Sequence, residues 1–188
     1  MKRTVERMED WVGDLSDAQI ERVRLYSARA PLSNGVPQYK QGDAAWGGIR
    51  LNDDDTISSA GCAITAAAMA VSKVSGARID PSQVDAQLDR TGGYSSGSDS
   101  IGDWNKIGGV VSPPVSLSRQ DGLTCSKLDA QLDAGKPVVI GVNYSGGSSN
   151  AHWMTVTGKG SDAKGPFYEV NDPATGGTVL YEETIPGP

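Results

Sequence analysis

Histidine occurs once and cysteine twice in this chain of 188 residues, and those scarcities narrow the chemistry. Two cysteines do not build a disulfide framework. One histidine with two distant cysteines is too poor a ligand set for a three-residue catalytic zinc site. No stretch approaches the roughly 18–20 consecutive apolar residues that span a bilayer, so membrane insertion is not expected. Positive charge is thin and scattered, 17 Lys and Arg against 23 Asp and Glu, for a net charge of −6. Phosphate backbones need clustered cations, which argues against nucleic acid as a partner. The one local concentration (Lys2, Arg3, Arg7, Arg22, Arg24, Arg29) is interleaved with Glu6, Glu9, Asp10 and Glu21, as on a solvated helix face. The opening Met1–Arg7 run passes into charge with no apolar h-region, so it does not read as a secretory signal. The expected location is the cytoplasm, or the exterior by a signal-independent route.

What the chain has in quantity is glycine, 24 residues, which implies many turns. Its length suits one domain with a real core. Residues 3–30 read as helical, with a capping box at Ser16–Gln19. The break Pro31-Leu32-Ser33-Asn34-Gly35 divides an N-terminal arm, residues 1–32, from a body, residues 33–188. Within the body the spacing predicts a loop to residue 61, a helix over 62–75 closed by Gly76, and a second helix opened by Pro81 with Asp80 as its cap. The Gly/Ser-rich stretch Gly92–Gly102 reads as a mobile loop. A further helix is expected over about 126–134, closed by Gly135. The period then switches to that of strands, at 137–142, 153–158, 167–170 and 178–181. Helices first and antiparallel strands later define an α+β fold, with the 62–75 helix packed on the sheet. Asp53-Asp54-Asp55 lacks the alternating ligands and terminal glutamate of a calcium loop and reads as a solvated acidic turn.

Cys62 stands where Ser58-Ser59-Ala60-Gly61 turns into an alanine-rich helix. Unpaired N–H groups and the positive end of the dipole at a helix start favour a thiolate. Gly61 lets a ligand approach closely, and the Cys62 N–H is a candidate oxyanion donor. His152, between a Gly/Ser loop and a strand, stands at a sheet edge and is the only side chain with an ordinary pKa near neutrality. Asp172, in the turn Asn171-Asp172-Pro173, can accept the Nδ1–H of His152 and fix its tautomer. Asn171 can do the same through its amide oxygen. Nucleophile, base and orienting group follow in the order Cys, His, Asp, which is the constellation of a cysteine hydrolase.

Two longer runs carry a resemblance. Val36-Pro37-Gln38-Tyr39-Lys40-Gln41-Gly42-Asp43-Ala44-Ala45-Trp46 and Ser59-Ala60-Gly61-Cys62 with its Ala/Met helix resemble bacterial papain-like cysteine peptidase domains related to the bacteriocin-processing, double-glycine leader peptidases. Gly135-Lys136-Pro137-Val138-Val139, Ala151–Gly158 and Val170-Asn171-Asp172-Pro173 resemble the strand, histidine and aspartate motifs of that family. The resemblance implies a papain-like fold, with Cys62 as nucleophile, His152 as base, Asp172 as orienter and Gln41 as the oxyanion glutamine, Gln38 being the alternative. It implies a peptide or protein substrate and neither metal nor cofactor. Gln41 stands about twenty positions before Cys62, farther than in the leader peptidases, and the transporter domains that accompany those enzymes are not in the sequence. The expected activity is cleavage of a peptide or isopeptide bond through an acyl-enzyme. Cell-wall stem peptides and protein tails suit the small residues around the site, and an exported bacterial effector suits the missing signal. An acyl transferase on the same fold and a degenerate peptide-binding module are the competing readings.

Overall fold

The computed structural model describes residues 34–117, 124–143, 151–163 and 165–182. The helical reading of residues 3–30, its capping box and the loop at 145–150 lie outside the described residues. Among the described residues four α-helices come first: α1 (Ile57–Ala60), α2 (Cys62–Ser75), α3 (Pro81–Thr91) and α4 (Cys125–Asp133), with a 3-10 helix at Trp104–Val110. Four strands follow, β1 (Val138–Asn143), β2 (Ala151–Asp162), β3 (Gly165–Asp172) and β4 (Gly177–Glu182), paired antiparallel in the order β1-β2-β3-β4. The architecture is α+β, helices first and sheet later.

Local chemistry explains most of these boundaries. Asp80 accepts from the Gln83 N–H while the Gln83 side chain returns to the Asp80 N–H, and Pro81 fills the first turn of α3. α2 stops where Gly76 takes a left-handed conformation at φ 71°, and α3 where Gly92 does so at φ 62°. α3 runs on to Thr91, because Arg90 and Thr91 remain compatible with the helix until that glycine.

The segment before Cys62 differs from expectation. Residues 57–60 form a one-turn helix in place of loop, stabilised by a reciprocal Thr56–Ser59 capping box that the sequence reading missed. A Cβ at Gly61 would lie 2.5 Å from the Ile57 carbonyl oxygen, so this glycine serves a close approach of backbone to backbone. Gly92–Gly102 is also more structured than a mobile loop. Tyr94 bridges Ile101, the Ser95 N–H donates to the Ser100 carbonyl, and the Asn52 amide reaches the carbonyl of Ser98. Backbone pairing there replaces the apolar contacts its composition lacks. The β2–β3 connection is much tighter than the loop expected at 159–166, since both strands extend into it.

The sheet is covered on both faces. Val139 and Trp153 belong to a core built around α2, whose Ala66, Ala67, Ala68 and Met69 are fully buried. Ile140, Met154, Val156 and Val170 belong to a second cluster with Leu128 of α4. Alternation along β1 and β2 thus sends successive side chains to opposite cores. The alanines of α2 let its backbone come close to β2, and there the Thr155 hydroxyl donates to the Ala66 carbonyl at 2.9 Å. That fully buried bond ties helix to sheet. Thr155→Val keeps the shape and leaves a buried carbonyl without this donor. It is expected to lower unfolding free energy by about 1–2 kcal/mol at unchanged denaturant slope, measured by urea titration.

Candidate active site

Cys62 is the first residue of α2, partly exposed, and both cysteines are free thiols. His152 is the second residue of β2, backbone-paired with Val142 of β1. It therefore sits at the end of an inner strand, not at an edge of the sheet as the sequence suggested. Its reach towards solvent comes from its place at the strand's beginning. Asp172 is the last residue of β3, just before the Pro173–Gly176 turn. The β2–β3 register pairs Thr155 with Asn171. Carried one residue further, it sets Asp172 diagonally across from His152, where cross-strand neighbours meet.

His152 Nε2 and Asp172 Oδ1 lie 2.6 Å apart, with side chains 15% and 11% exposed. The partner nitrogen is Nε2, not the Nδ1 expected from the sequence, because the far side of the ring is the side that reaches the neighbouring strand. Cys62 is the second side chain hydrogen-bonded to His152. Burial opposes charge on the imidazole, but the Asp172 carboxylate and Cys62 outweigh it and push the ring up to about 9. Burial likewise raises the Asp172 carboxyl, yet hydrogen bonds from His152 and from the Ala174 N–H hold it below its ordinary value. The Ala174 N–H donates to Asp172 Oδ1 at 2.9 Å, an Asx turn that fixes the carboxylate. Asp-Pro followed by a small residue was a signal for that turn.

The neighbouring alternatives separate. Asn171 does not orient the imidazole: its amide donates to the Pro37 carbonyl at 3.2 Å and its oxygen accepts from Thr178 Oγ1. Gln38 donates to the same Thr178 hydroxyl. These residues fasten the 36–41 segment to β3 and β4. Gln41 is brought to the Cys62 side, where its Nε2 donates to the Ser58 carbonyl of α1 at 2.9 Å. Its backbone N–H donates to the Pro173 carbonyl, also at 2.9 Å, next to Asp172. Its Oε1 is buried with no partner among the described residues. The chain distance between Gln41 and Cys62 is spanned by the turn at 40–49, closed by the Ser58 N–H donating to the Gly47 carbonyl. Asp53, Asp54 and Asp55 are exposed; Asp54 pairs with Arg50 and Asp55 accepts from Ser59 Oγ.

A cysteine at a helix start, hydrogen-bonded to a histidine that a carboxylate holds from the far side, on helices laid against an antiparallel sheet, is the layout of the papain-like fold. The family described as Peptidase_C39 like family matches residues 33–185, and the chain belongs to it. This is a family of the cysteine peptidase type. No curated protein and no solved structure matches the chain. Among the described residues no helix is long and apolar enough to cross a membrane.

Because His152 is the only histidine, its ring protons give a single unambiguous NMR titration. The midpoint is expected near 9 and should fall towards the ordinary 6.5 in Asp172→Asn. A raised folded pKa means that this charge stabilises the fold fully below about pH 6.5 and that the contribution is lost as pH rises through about 9. Asp172, lowered in the fold, contributes above its ordinary 3.8 and loses that contribution as pH falls below it. In Asp172→Asn both losses should shrink. An unchanged midpoint would mean that the carboxylate does not hold the ring charged.

Proposed function

We propose that the protein is a metal-independent cysteine peptidase or amidase in which Cys62 is the nucleophile, His152 the acid and base, Asp172 the orienting carboxylate and Gln41 an oxyanion donor. The observation that carries this reading is the His152 ring held between Asp172 and Cys62, with its pKa pushed up to about 9. At neutral pH that ring is an imidazolium beside the sulfur, with a proton to give to a departing group.

The Cys62 thiolate attacks the carbonyl carbon; a C–S bond forms and the π pair moves onto oxygen. The Cys62 N–H and the second Nε2–H of Gln41 donate to that oxyanion, each such donor worth about 3–4 kcal/mol in related chemistry. Collapse breaks the C–N bond, and the imidazolium delivers its proton from Nδ1 to the departing amine. The neutral ring then takes a proton from water as the water attacks the thioester, and the thiolate leaves. Asp172 stays ionised throughout and keeps Nε2–H pointed at itself. Gly61, Ala63 and Ser58, close to Cys62 in the chain, are small, in keeping with cell-wall stem peptides or protein tails acted on by an exported effector.

The test is reactivity followed by covalent capture. Iodoacetamide should alkylate Cys62 at pH 6.5 at least about 10-fold faster than a free thiol. A library of peptidyl electrophiles should add one label by intact mass, lost in Cys62→Ala and retained in Cys125→Ala. Alkylation no faster than a free thiol, or peptide retention equal in wild type and Cys62→Ala without labelling, would replace the enzyme by a binding module.

A further inference from the structure

Gln41 hangs from a peptide unit that is held at both of its polar ends. The Lys40 carbonyl accepts from Trp46 Nε1 at 2.8 Å and from the Asp43 N–H at 3.0 Å, while the Gln41 N–H donates to the Pro173 carbonyl at 2.9 Å. With oxygen and nitrogen both fixed, the plane of that peptide is fixed, and with it the position of the Gln41 Cα from which the side chain leaves. The Trp46 ring is itself seated edge-on against the buried Tyr39, with ring centroids 5.5 Å apart and planes at 75°. Two glycines close the turn. A Cβ at Gly47 would lie 2.8 Å from the Asp43 carbonyl oxygen and 3.2 Å from that of Gln41, and one at Gly176 would lie 2.8 Å from Lys40 Cβ. The Gln41 amide is then tied to Ser58, while its oxygen is buried without a partner among the described residues. An amide held with one buried atom unsatisfied is costly, and the surrounding clamp is what maintains it.

We propose that Trp46 is a positioning residue for the Gln41 amide: its indole N–H locks the Lys40–Gln41 peptide so that the amide presents its free N–H to the oxyanion. The inference rests on the reading of Cys62 as nucleophile and Gln41 as oxyanion donor. Trp46 touches no reacting atom. It acts on a step that develops negative charge on oxygen and leaves other reactions of the same sulfur alone.

That distinction sets the experiment. Acylation of Cys62 by the p-nitrophenyl ester of N-acetyl-glycyl-glycine forms the C–S bond through an oxyanion and expels nitrophenolate with its electron pair. Alkylation by iodoacetamide displaces iodide at a saturated carbon and forms no oxyanion. The two rates are measured on the full chain for wild type, Trp46→Phe, Gln41→Ala and the double variant, by nitrophenolate release and by intact mass. Trp46→Phe keeps a ring against Tyr39 and should slow acylation about 5- to 10-fold with alkylation unchanged. Gln41→Ala should slow acylation about 100-fold, and adding Trp46→Phe to it should cost nothing more. Where Trp46→Phe does not fold, site-specific benzothienylalanine, which keeps the ring shape and lacks only the N–H, carries the same comparison. Equal slowing of both reactions, no slowing of either, or additive losses in the double variant would overturn the proposal. Fast acylation in Gln41→Ala removes the oxyanion donor and the proposal with it. Slow alkylation of the wild-type thiol instead overturns the nucleophile reading, so the two failures are told apart.

Discussion

The seating of α2 on β2 is the constraint from which the site follows. Cys62 and His152 come from parts of the chain about ninety positions apart, and neither has a local reason to meet the other. They meet because an alanine face lets the helix lie close against the sheet and a buried hydroxyl–carbonyl bond, Thr155 to Ala66, holds it there. Larger residues along that face would push the helix away from the strand. The close packing of the core and the geometry at the sulfur are therefore one requirement.

Around that seating, turns do the finer placement. The Asx turn at Asp172 orients a carboxylate, and the Pro173 carbonyl beside it receives the Gln41 N–H. One short turn thus holds the acid that faces His152 and the backbone that carries the glutamine. The Gln38–Thr178–Asn171–Pro37 chain of hydrogen bonds performs the coarser task of fastening the 36–41 segment to the sheet. These groups are engaged with one another, and such preorganisation is what the proposed oxyanion site requires, since nothing must reorganise as charge develops.

Electrostatics completes the arrangement. His152 is mostly buried, a situation that by itself disfavours the imidazolium, yet two partners, Asp172 and Cys62, reverse the balance. A histidine with either partner alone would hold its proton less firmly. The pairing of Nε2 with Asp172 fixes the ring and leaves its other nitrogen available, as the proposed mechanism requires.

Composition and pattern were enough for the α+β class, the order of helices and strands and the Gly76 stop of α2, and they singled out Cys62, His152 and Asp172 as candidates. These are local or additive properties: hydrophobic period, cap chemistry, and the presence of one histidine in the whole chain. The motif resemblance extended this to the papain-like fold, which the family match bears out. What remained hidden was relational. The choice between Asp172 and Asn171, and between Gln41 and Gln38, turns on which face of a strand or turn each side chain takes, and adjacent residues in a strand take opposite faces. The ring nitrogen that meets the carboxylate, the short α1 before Cys62 and the pairing within Gly92–Gly102 likewise depend on partners distant in sequence or on weak caps. Propensity carries no information about such distances, because only the packed chain decides which groups are left facing each other once water has been excluded.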